Sequence, residues 1–221
     1  MEHWKVVTAL IVGLWAGYNF LYMRPFHGRA GTAIDLTAEP VQNKLEEQET
    51  VEFQRGNKKY IAVLKFNYSI QGRVIMASTY SVFYHSDLLV VDVGLGWGKK
   101  LDWMLDNLDF DQGGRWLFWQ TRKSISAGEK QYIESHLSNN HLIPAGFDWN
   151  MEKALRWIKQ GDDIKIQGYL VTLKTRDGKV IIRSSTTRTD TGAGACEVIW
   201  VEKLQIGDTM YSVPESLMAK Y

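Results

Sequence analysis

Three side chains in this sequence could together perform nucleophilic catalysis. Cys196 is the single cysteine of the chain, and His136 and His141 stand five residues apart. A thiol attacks when a neighbouring imidazole takes its proton and an acidic group orients the ring. One or both histidines could supply that base, with Glu197 or Asp190 as the orienting acid. The opposite interpretation is structural. Cys196 begins the apolar run CEVIWV, where a small thiol in the core is ordinary, and this predicts that Cys196 is buried.

Two polar segments, residues 136–141 (HLSNNH) and residues 183–197 (RSSTTRTDTGAGACE), could also form a ligand site. Their side chains supply donors and acceptors for a small polar ligand or for a charged side chain of a partner. The candidate contact residues are Arg188, Asp190, Asn139 and Ser184. If both segments serve one site they must face each other, so we predict at least one hydrogen bond between them. Alternatively, these are loops whose polar side chains bond to nearby backbone, and one histidine caps the preceding helix.

Several other chemistries are excluded. GLGWG at 94–98 superficially suits a dinucleotide loop, but that motif needs a glycine where Lys99 stands, and no βαβ alternation surrounds it. The segment therefore predicts a tight strand-to-helix turn. A spacing of five does not place two histidines on one helix face, which excludes a helical zinc site. One cysteine excludes an intrachain disulfide and a zinc site of four thiolates. We expect neither a cofactor nor a metal.

The composition favours a folded protein that does not bind nucleic acid. The 26 basic and 25 acidic residues give a formal charge of +1, which provides no electrostatic case for a nucleic-acid partner. At 45% hydrophobic and 23% charged residues, the chain is too apolar and too balanced in charge to be disordered. A length of 221 residues corresponds to one or two domains.

Residues 6–23 (VVTALIVGLWAGYNFLYM) form an uncharged run that predicts a transmembrane helix. A helix of that length spans roughly 27 Å, just enough for the hydrocarbon core. A cleaved signal peptide would have a basic start and a nearby small-residue cleavage site, and a buried core helix would show a polar stripe. Residues 6–23 show none of these three features. Arg24 and Arg29 outnumber Lys5, which leans towards a cytoplasmic body. An N-terminal anchor before one folded domain is nevertheless a common export arrangement, and we expect a periplasmic domain on a bacterial inner membrane.

The remaining chain is organised as a linker and one domain. We predict an anchor over residues 1–24, a linker over 25–50 and an α+β soluble domain over 51–221. Alternating apolar residues predict a hairpin of residues 59–68 and 73–84 about Gln71-Gly72, and a short strand at 88–93. Leucines at helical spacing predict a helix over 99–108.

The second half predicts further short helices between strands. An aromatic strand spans 115–122, and Ser126 with Glu129 forms a capping box for a helix to about residue 135. Asn150 caps a helix that ends near Lys159. Strands 163–173 and 179–184 form a hairpin about the Asp177-Gly178 turn, and a last strand covers 196–206. The predicted fold is α+β: a transmembrane helix followed by a mainly antiparallel β domain, either a partly open barrel or a sandwich, with inserted short helices.

Five motifs together resemble an uncharacterised family of proteobacterial proteins with a single N-terminal membrane segment. They are WG at 97–98, QGGRW at 112–116, the H-x-x-N-x-H-L-I-P-A run at 136–145, GYLV at 168–171, and RSSxTRxDTGxGACE at 183–197. The resemblance covers roughly residues 85–203 and implies a bacterial envelope setting but no chemistry. It marks the following positions: Arg188, Asp190, Cys196, His136, Asn139 and His141.

These observations lead to three functional hypotheses. The first is a membrane-anchored binding or assembly component that contacts the bilayer through residues 6–23 and docks on other envelope proteins. The second is a membrane-tethered hydrolase or transferase that uses Cys196 with a histidine. The third is a sensor whose Arg188 and Asp190 hold an anionic molecule. The sequence favours the binding role over an enzyme.

Overall fold

The computed structural model describes residues 3–23, 25, 27–80, 85–187 and 195–217, which form an α+β fold with a mostly antiparallel sheet. The four α-helices of this part are α1 (His3–Met23), α2 (Leu101–Asn107), α3 (Ala127–Ser135) and α4 (Trp149–Trp157). The first six strands are β1 (Arg29–Ala30), β2 (Val41–Lys44), β3 (Thr50–Arg55), β4 (Lys58–Ser78), β5 (Val91–Gly96) and β6 (Leu108–Gly113). The others are β7 (Trp116–Thr121), β8 (Leu137–Pro144), β9 (Asp163–Thr175), β10 (Val180–Arg183), β11 (Glu197–Ile206) and β12 (Thr209–Ser212).

Five strands close into a barrel. Each of the neighbouring pairs β4–β5, β5–β8, β8–β11, β11–β9 and β9–β4 is hydrogen-bonded, so the sequence of pairs returns to its start. The β8–β11 pair is parallel and the other four are antiparallel. Of the two predicted architectures, the barrel is therefore the observed one. Its topology, with a helix between the third and fourth barrel strands, resembles that of an OB-type barrel.

The predicted hairpin about Gln71-Gly72 is wrong. Residues 58–78 form the single long strand β4, and Gln71 and Gly72 pair with Lys165 and Ile164 of β9. The glycine serves a close approach rather than a turn, because a Cβ there would lie 2.6 Å from the carbonyl oxygen of Gly96. The end of the second predicted strand, residues 81–84, lies outside the described residues.

The second hairpin is confirmed. β9 and β10 pair antiparallel, and Gly178 has a φ of 88°, as the tight turn requires. The predicted last strand is confirmed as β11. The segment predicted to be a linker contributes two short strands to the sheet, β1 against β12 and β2 against β4.

Local helix signals were reliable to within a few residues. Ser126 caps α3 in the predicted capping box with Glu129. α4 begins one residue before the predicted start and is capped by Asp148, whose Oδ1 accepts from the Met151 backbone N–H at 2.7 Å. Asn150 is already inside the helix, and its side chain instead exchanges hydrogen bonds with the backbone of His27. It therefore ties α4 to the N-terminal segment.

A separate two-stranded sheet, β6–β7, is inserted between barrel strands β5 and β8. One of its faces joins α2 and α3 around a small second core of Leu101, Met104, Leu108 and Ile133. The other face exposes Trp116 and Phe118. The sequence-predicted turn at 94–98 is partly strand, because Gly94 to Gly96 belong to β5.

The predicted N-terminal helix forms, as α1. Its apolar side chains are largely exposed, with Leu10 at 61%, Ile11 at 60% and Leu14 at 72% of their full accessibility. Within the residues that the structure describes, however, none of the helices has both the length and the hydropathy needed to cross a bilayer. The structure thus lends the transmembrane assignment no support.

Candidate functional site

Three adjacent barrel strands bring Asp92, His141 and Cys196 to one face of the sheet. Asp92 on β5 stands directly opposite His141 on β8. Cys196 immediately precedes β11, one position before the parallel pair of Glu197 with Asn140. Because side chains alternate between faces along a strand, Cys196 shares a face with Asn139 and His141. The other face carries core residues such as Val93 and Leu142.

Asp92 is a buried carboxylate that contacts two basic side chains. Its side chain is fully buried, and its Oδ1 lies 2.9 Å from His141 Nδ1 and 2.8 Å from an Arg115 guanidinium nitrogen. His141 and Arg115 are themselves only 4% and 8% exposed. A buried charge is tolerated only when it is paired, so Asp92 fixes both partners in place.

The imidazole of His141 is held in its charged form. Burial by itself lowers the pKa of His141, but the close contacts with Asp92 and Cys196 outweigh it and raise the pKa from 6.5 to about 9. Since Nδ1 faces Asp92, the second ring nitrogen, Nε2, is the one available to the thiol. At neutral pH the ring is therefore an imidazolium between a carboxylate and a sulfur.

The prediction that Cys196 is buried is wrong. Its exposure is intermediate, because the residue lies just before β11 begins, beyond the packed part of the strand. Its Sγ accepts a hydrogen bond from Asn139 Nδ2 at 3.3 Å. This contact confirms the predicted hydrogen bond between the two polar segments. The first of these segments is not a loop, however, since residues 137–144 form β8.

A tight turn of the β6–β7 hairpin covers the site. Arg115 sits in this turn with a φ of 70° and lies over the ring of Tyr80, 4.8 Å from its centroid. Its backbone carbonyl accepts from Asn139 Nδ2 at 2.7 Å. The hairpin can approach because residue 94 is a glycine, whose added Cβ would lie 2.8 Å from a methyl carbon of Leu117. The GLGWG motif thus contacts β7 directly after the QGGRW motif.

His136 does not take part in this cluster. Its Nδ1 lies 2.9 Å from both the Tyr132 carbonyl oxygen and the Ser135 hydroxyl, and its Nε2 lies 3.2 Å from a Glu39 carboxylate oxygen. The ring stacks on Tyr132 with a centroid separation of 3.8 Å. His136 therefore joins the end of α3 to the N-terminal segment, which is a structural role.

The remaining candidates contribute differently from the prediction. Strand alternation turns Glu197 to the opposite face from Cys196, so it cannot orient His141. Ser184 is buried, and its hydroxyl accepts from the Val198 backbone N–H at 3.0 Å, which ties strands together. Arg188 and Asp190 lie outside the described residues, so their proposed ligand contact stays a prediction.

Sequence reasoning missed Asp92 and Arg115. The signal for Asp92 was a single carboxylate inside the apolar run LLVVDV, where a charge must find a partner. Arg115 lay within the noted QGGRW motif, but nothing local indicated that it turns inward. In the described part of the chain, no group of three or more His, Cys, Asp or Glu side chains is arranged to hold a metal ion.

The cluster has the parts of a nucleophilic site: a thiol, an adjacent imidazole and a carboxylate behind the imidazole. No family model, curated protein or solved structure matches this chain. The resemblance to an envelope family therefore stays a prediction, and function must be argued from the site.

Proposed function

We propose that this protein is a cysteine-dependent acyl hydrolase or acyl transferase. In this proposal Cys196 is the nucleophile, His141 is the general base and acid, and Asp92 orients the imidazole. The observation that carries the proposal is the placement of these three side chains at neighbouring strands, with His141 Nδ1 2.9 Å from Asp92 Oδ1 and Cys196 close enough to His141 to help raise its pKa. A carboxylate, an imidazole and a thiol in that order form the charge arrangement of a catalytic triad.

The reaction follows from the protonation states. An imidazolium beside a thiol favours an imidazolium–thiolate pair, which is the nucleophilic form. The thiolate attacks the acyl carbon of an ester, thioester or amide, and the bond to the leaving group breaks as His141 protonates that group. Water or an acceptor alcohol, amine or thiol then attacks the thioester, and His141 takes its proton. Cys196 leaves as thiolate, which restores the starting state.

The surroundings of the site support this cycle. Cys196 is partly exposed, so an acyl group can reach its sulfur, whereas Asp92 is fully buried and cannot be neutralised by solvent cations. Arg115 contacts the same carboxylate oxygen at 2.8 Å, which holds Asp92 in place. A purely structural thiol would need none of this charge arrangement.

The test uses the fact that Cys196 is the single cysteine of the chain. Full-length protein is mixed with p-nitrophenyl acetate, and both p-nitrophenol release and the acetyl group on Cys196, located by mass spectrometry, are followed. We expect a burst of one p-nitrophenol per chain and then slower turnover. His141→Gln should reduce the burst rate about tenfold or more, because the thiol then lacks the imidazolium that favours its nucleophilic thiolate form.

His136→Gln is the matched control, because it removes an imidazole from the same region without touching the site. We expect its burst rate to equal that of the wild type. Equal burst rates for His141→Gln and the wild type, or acetylation of the folded protein no faster than in urea, would refute the enzyme proposal.

The second candidate function, a membrane-anchored assembly component, is favoured by α1. Its apolar side chains are largely exposed, and a contiguous apolar surface of this kind is typical of a site that contacts lipid or another protein. We propose that α1 associates with the lipid bilayer, which would tether the barrel to a bacterial inner membrane, with the domain in the periplasm. Anchorage and catalysis are compatible.

Flotation of the full-length protein with phosphatidylethanolamine–phosphatidylglycerol vesicles tests this association. Leu10→Lys with Leu14→Lys should move the protein from the vesicle fraction to the soluble fraction. Val180→Lys, at an exposed apolar residue on β10, is the control and should stay with the vesicles. Anchorage by α1 would be contradicted if both the α1 variant and the Val180→Lys variant left the vesicle fraction, or if both stayed in it.

A further inference from the structure

The amide of Asn139 is held beside the sulfur of Cys196 by three hydrogen bonds. Its Nδ2 donates to the Arg115 carbonyl oxygen at 2.7 Å and to Cys196 Sγ at 3.3 Å. Its Oδ1 accepts from Gln112 Nε2 at 3.1 Å. These partners define which end of the amide carries the nitrogen, since a flipped amide would place its oxygen against a carbonyl oxygen. One N–H of Asn139 therefore points to the reactive atom.

We propose that Asn139 is the oxyanion donor of the site, a role that rests on the acyl-transfer function proposed above. When the thiolate attacks an acyl carbon, the carbonyl π electrons move to the oxygen, which becomes an anion bound to a carbon attached to Sγ. A donor already within hydrogen-bond distance of Sγ lies next to that oxygen. The N–H that contacts the resting thiolate then transfers its hydrogen bond to the oxyanion, at about 3 Å.

The placement of Asn139 favours this role over a purely structural one. The side chain is only partly buried, as is Cys196, whereas the neighbouring Asn140 is fully buried and donates to the Val93 carbonyl oxygen on the other face. Strand alternation places the two amides on opposite faces, so Asn139 does not meet the core-side backbone to which Asn140 bonds. Asn139 instead offers one N–H to a thiol, a weak acceptor that is easily exchanged for a stronger one.

The hairpin pre-organises this donor. Gln112 and Arg115 belong to the same hairpin and hold the two ends of the Asn139 amide, so the N–H cannot rotate away during the reaction. A donor that is fixed before charge develops costs no reorganisation in the transition state. Gln112 is thus a positioning residue, and the β6–β7 hairpin is part of the active site.

Two electrophiles separate this role from a general effect on the thiol. Acetylation by p-nitrophenyl acetate passes through an oxyanion, whereas alkylation by iodoacetamide forms a carbon–sulfur bond and releases iodide without one. We expect Asn139→Ala to slow acetylation of Cys196 about 100-fold or more. Its alkylation rate, taken where the rate no longer depends on pH, should change by less than about threefold, because only one hydrogen bond to the thiolate is lost.

Asn139→Asp has nearly the same shape but places a carboxylate near the oxyanion, and it should lower the ratio of acetylation to alkylation at least as far. Gln112→Ala leaves Asn139 in place and should lower the ratio by an intermediate factor. Asn67→Ala, at an exposed position on β4, is the control and should leave both rates unchanged. Denaturation curves establish whether each variant is folded. If the Asn139 variants do not fold, Gln112→Ala still tests the proposal.

The outcomes distinguish the two proposals. A selective loss of acetylation supports the oxyanion role of Asn139. Equal losses of acetylation and alkylation, or no loss of either, overturn it while leaving Cys196 as a nucleophile. A wild-type protein that is alkylated but never acetylated overturns acyl transfer itself, and the oxyanion role with it.

Discussion

Replacing Asp92 with asparagine should destabilise the protein far more than a single hydrogen-bond change suggests. The carboxylate is fully buried and touches both His141 and Arg115. The amide of the variant would keep the shape and remove the charge, which leaves a buried guanidinium and a buried imidazole without their counterion. Breaking a buried pair in this way typically costs about 3–5 kcal/mol. The pKa gives a consistent scale: raising the pKa of His141 from 6.5 to about 9 corresponds to about 3 kcal/mol.

The pH dependence of this loss has a defined sign. His141 has a higher pKa in the folded than in the unfolded protein, so its contribution to stability is complete below pH 6.5 and disappears as the pH rises through about 9. In Asp92→Asn the pKa of His141 should fall from about 9, because burial is then opposed only by Cys196. The difference in unfolding free energy between wild type and variant should therefore be largest near pH 6 and smaller at pH 9.5.

Urea denaturation followed by tryptophan fluorescence measures this difference, since Trp97 and Trp200 are fully buried. The matched control is Asp163→Asn, which breaks the partly exposed Arg73–Asp163 pair, where both side chains are about a third exposed. Such a pair contributes about 0.2–1 kcal/mol. If Asp92→Asn cost no more than Asp163→Asn near pH 6, the buried charge cluster would not hold the site as described.

Three further substitutions test the packing and the helix ends, each by chemical denaturation at pH 7. Gly168→Ala should cost more than about 3 kcal/mol, because the added Cβ would lie 1.9 Å from the backbone oxygen of Trp200, which cannot move aside as a side chain can. Gly128→Ala should instead stabilise by about 0.5–1 kcal/mol, since the position is open and helical. Ser126→Ala removes the cap of α3 and should cost about 1 kcal/mol. A stable Gly168→Ala variant would contradict the close β9–β11 contact.

The parts of the fold that local chemistry dictates were predictable from the sequence. The capping box at Ser126 and the Asp177-Gly178 turn each involve residues only a few positions apart, and both are as expected. The long strand β4 was not predictable, because Gln71-Gly72 is kept extended by pairing with β9, which lies far along the chain. The same sequence in isolation would favour a turn.

In the candidate site, too, some residues could be predicted from the sequence and others could not. Residue type alone singled out Cys196, His141 and Asn139, since thiols, imidazoles and amides are unusual in a polar run before an apolar strand. The orienting acid was assigned to Glu197 or Asp190 because they are near Cys196 in sequence. The acid that contacts the imidazole is instead Asp92, because the β5–β8 register places it opposite His141. Only the three-dimensional pairing of strands could reveal this.

The pH dependence of Cys196 alkylation tests the central claim, that His141 activates this thiol, most directly. Iodoacetamide reacts with the thiolate, and the single cysteine makes the signal unambiguous. In the wild type the rate should change little between pH 6 and pH 8, because His141, whose pKa is raised to about 9, keeps its charge beside the sulfur over this range. In His141→Gln the rate should rise about tenfold per pH unit over this range, as for an ordinary thiol. Wild-type and His141→Gln profiles that coincide would contradict the claim.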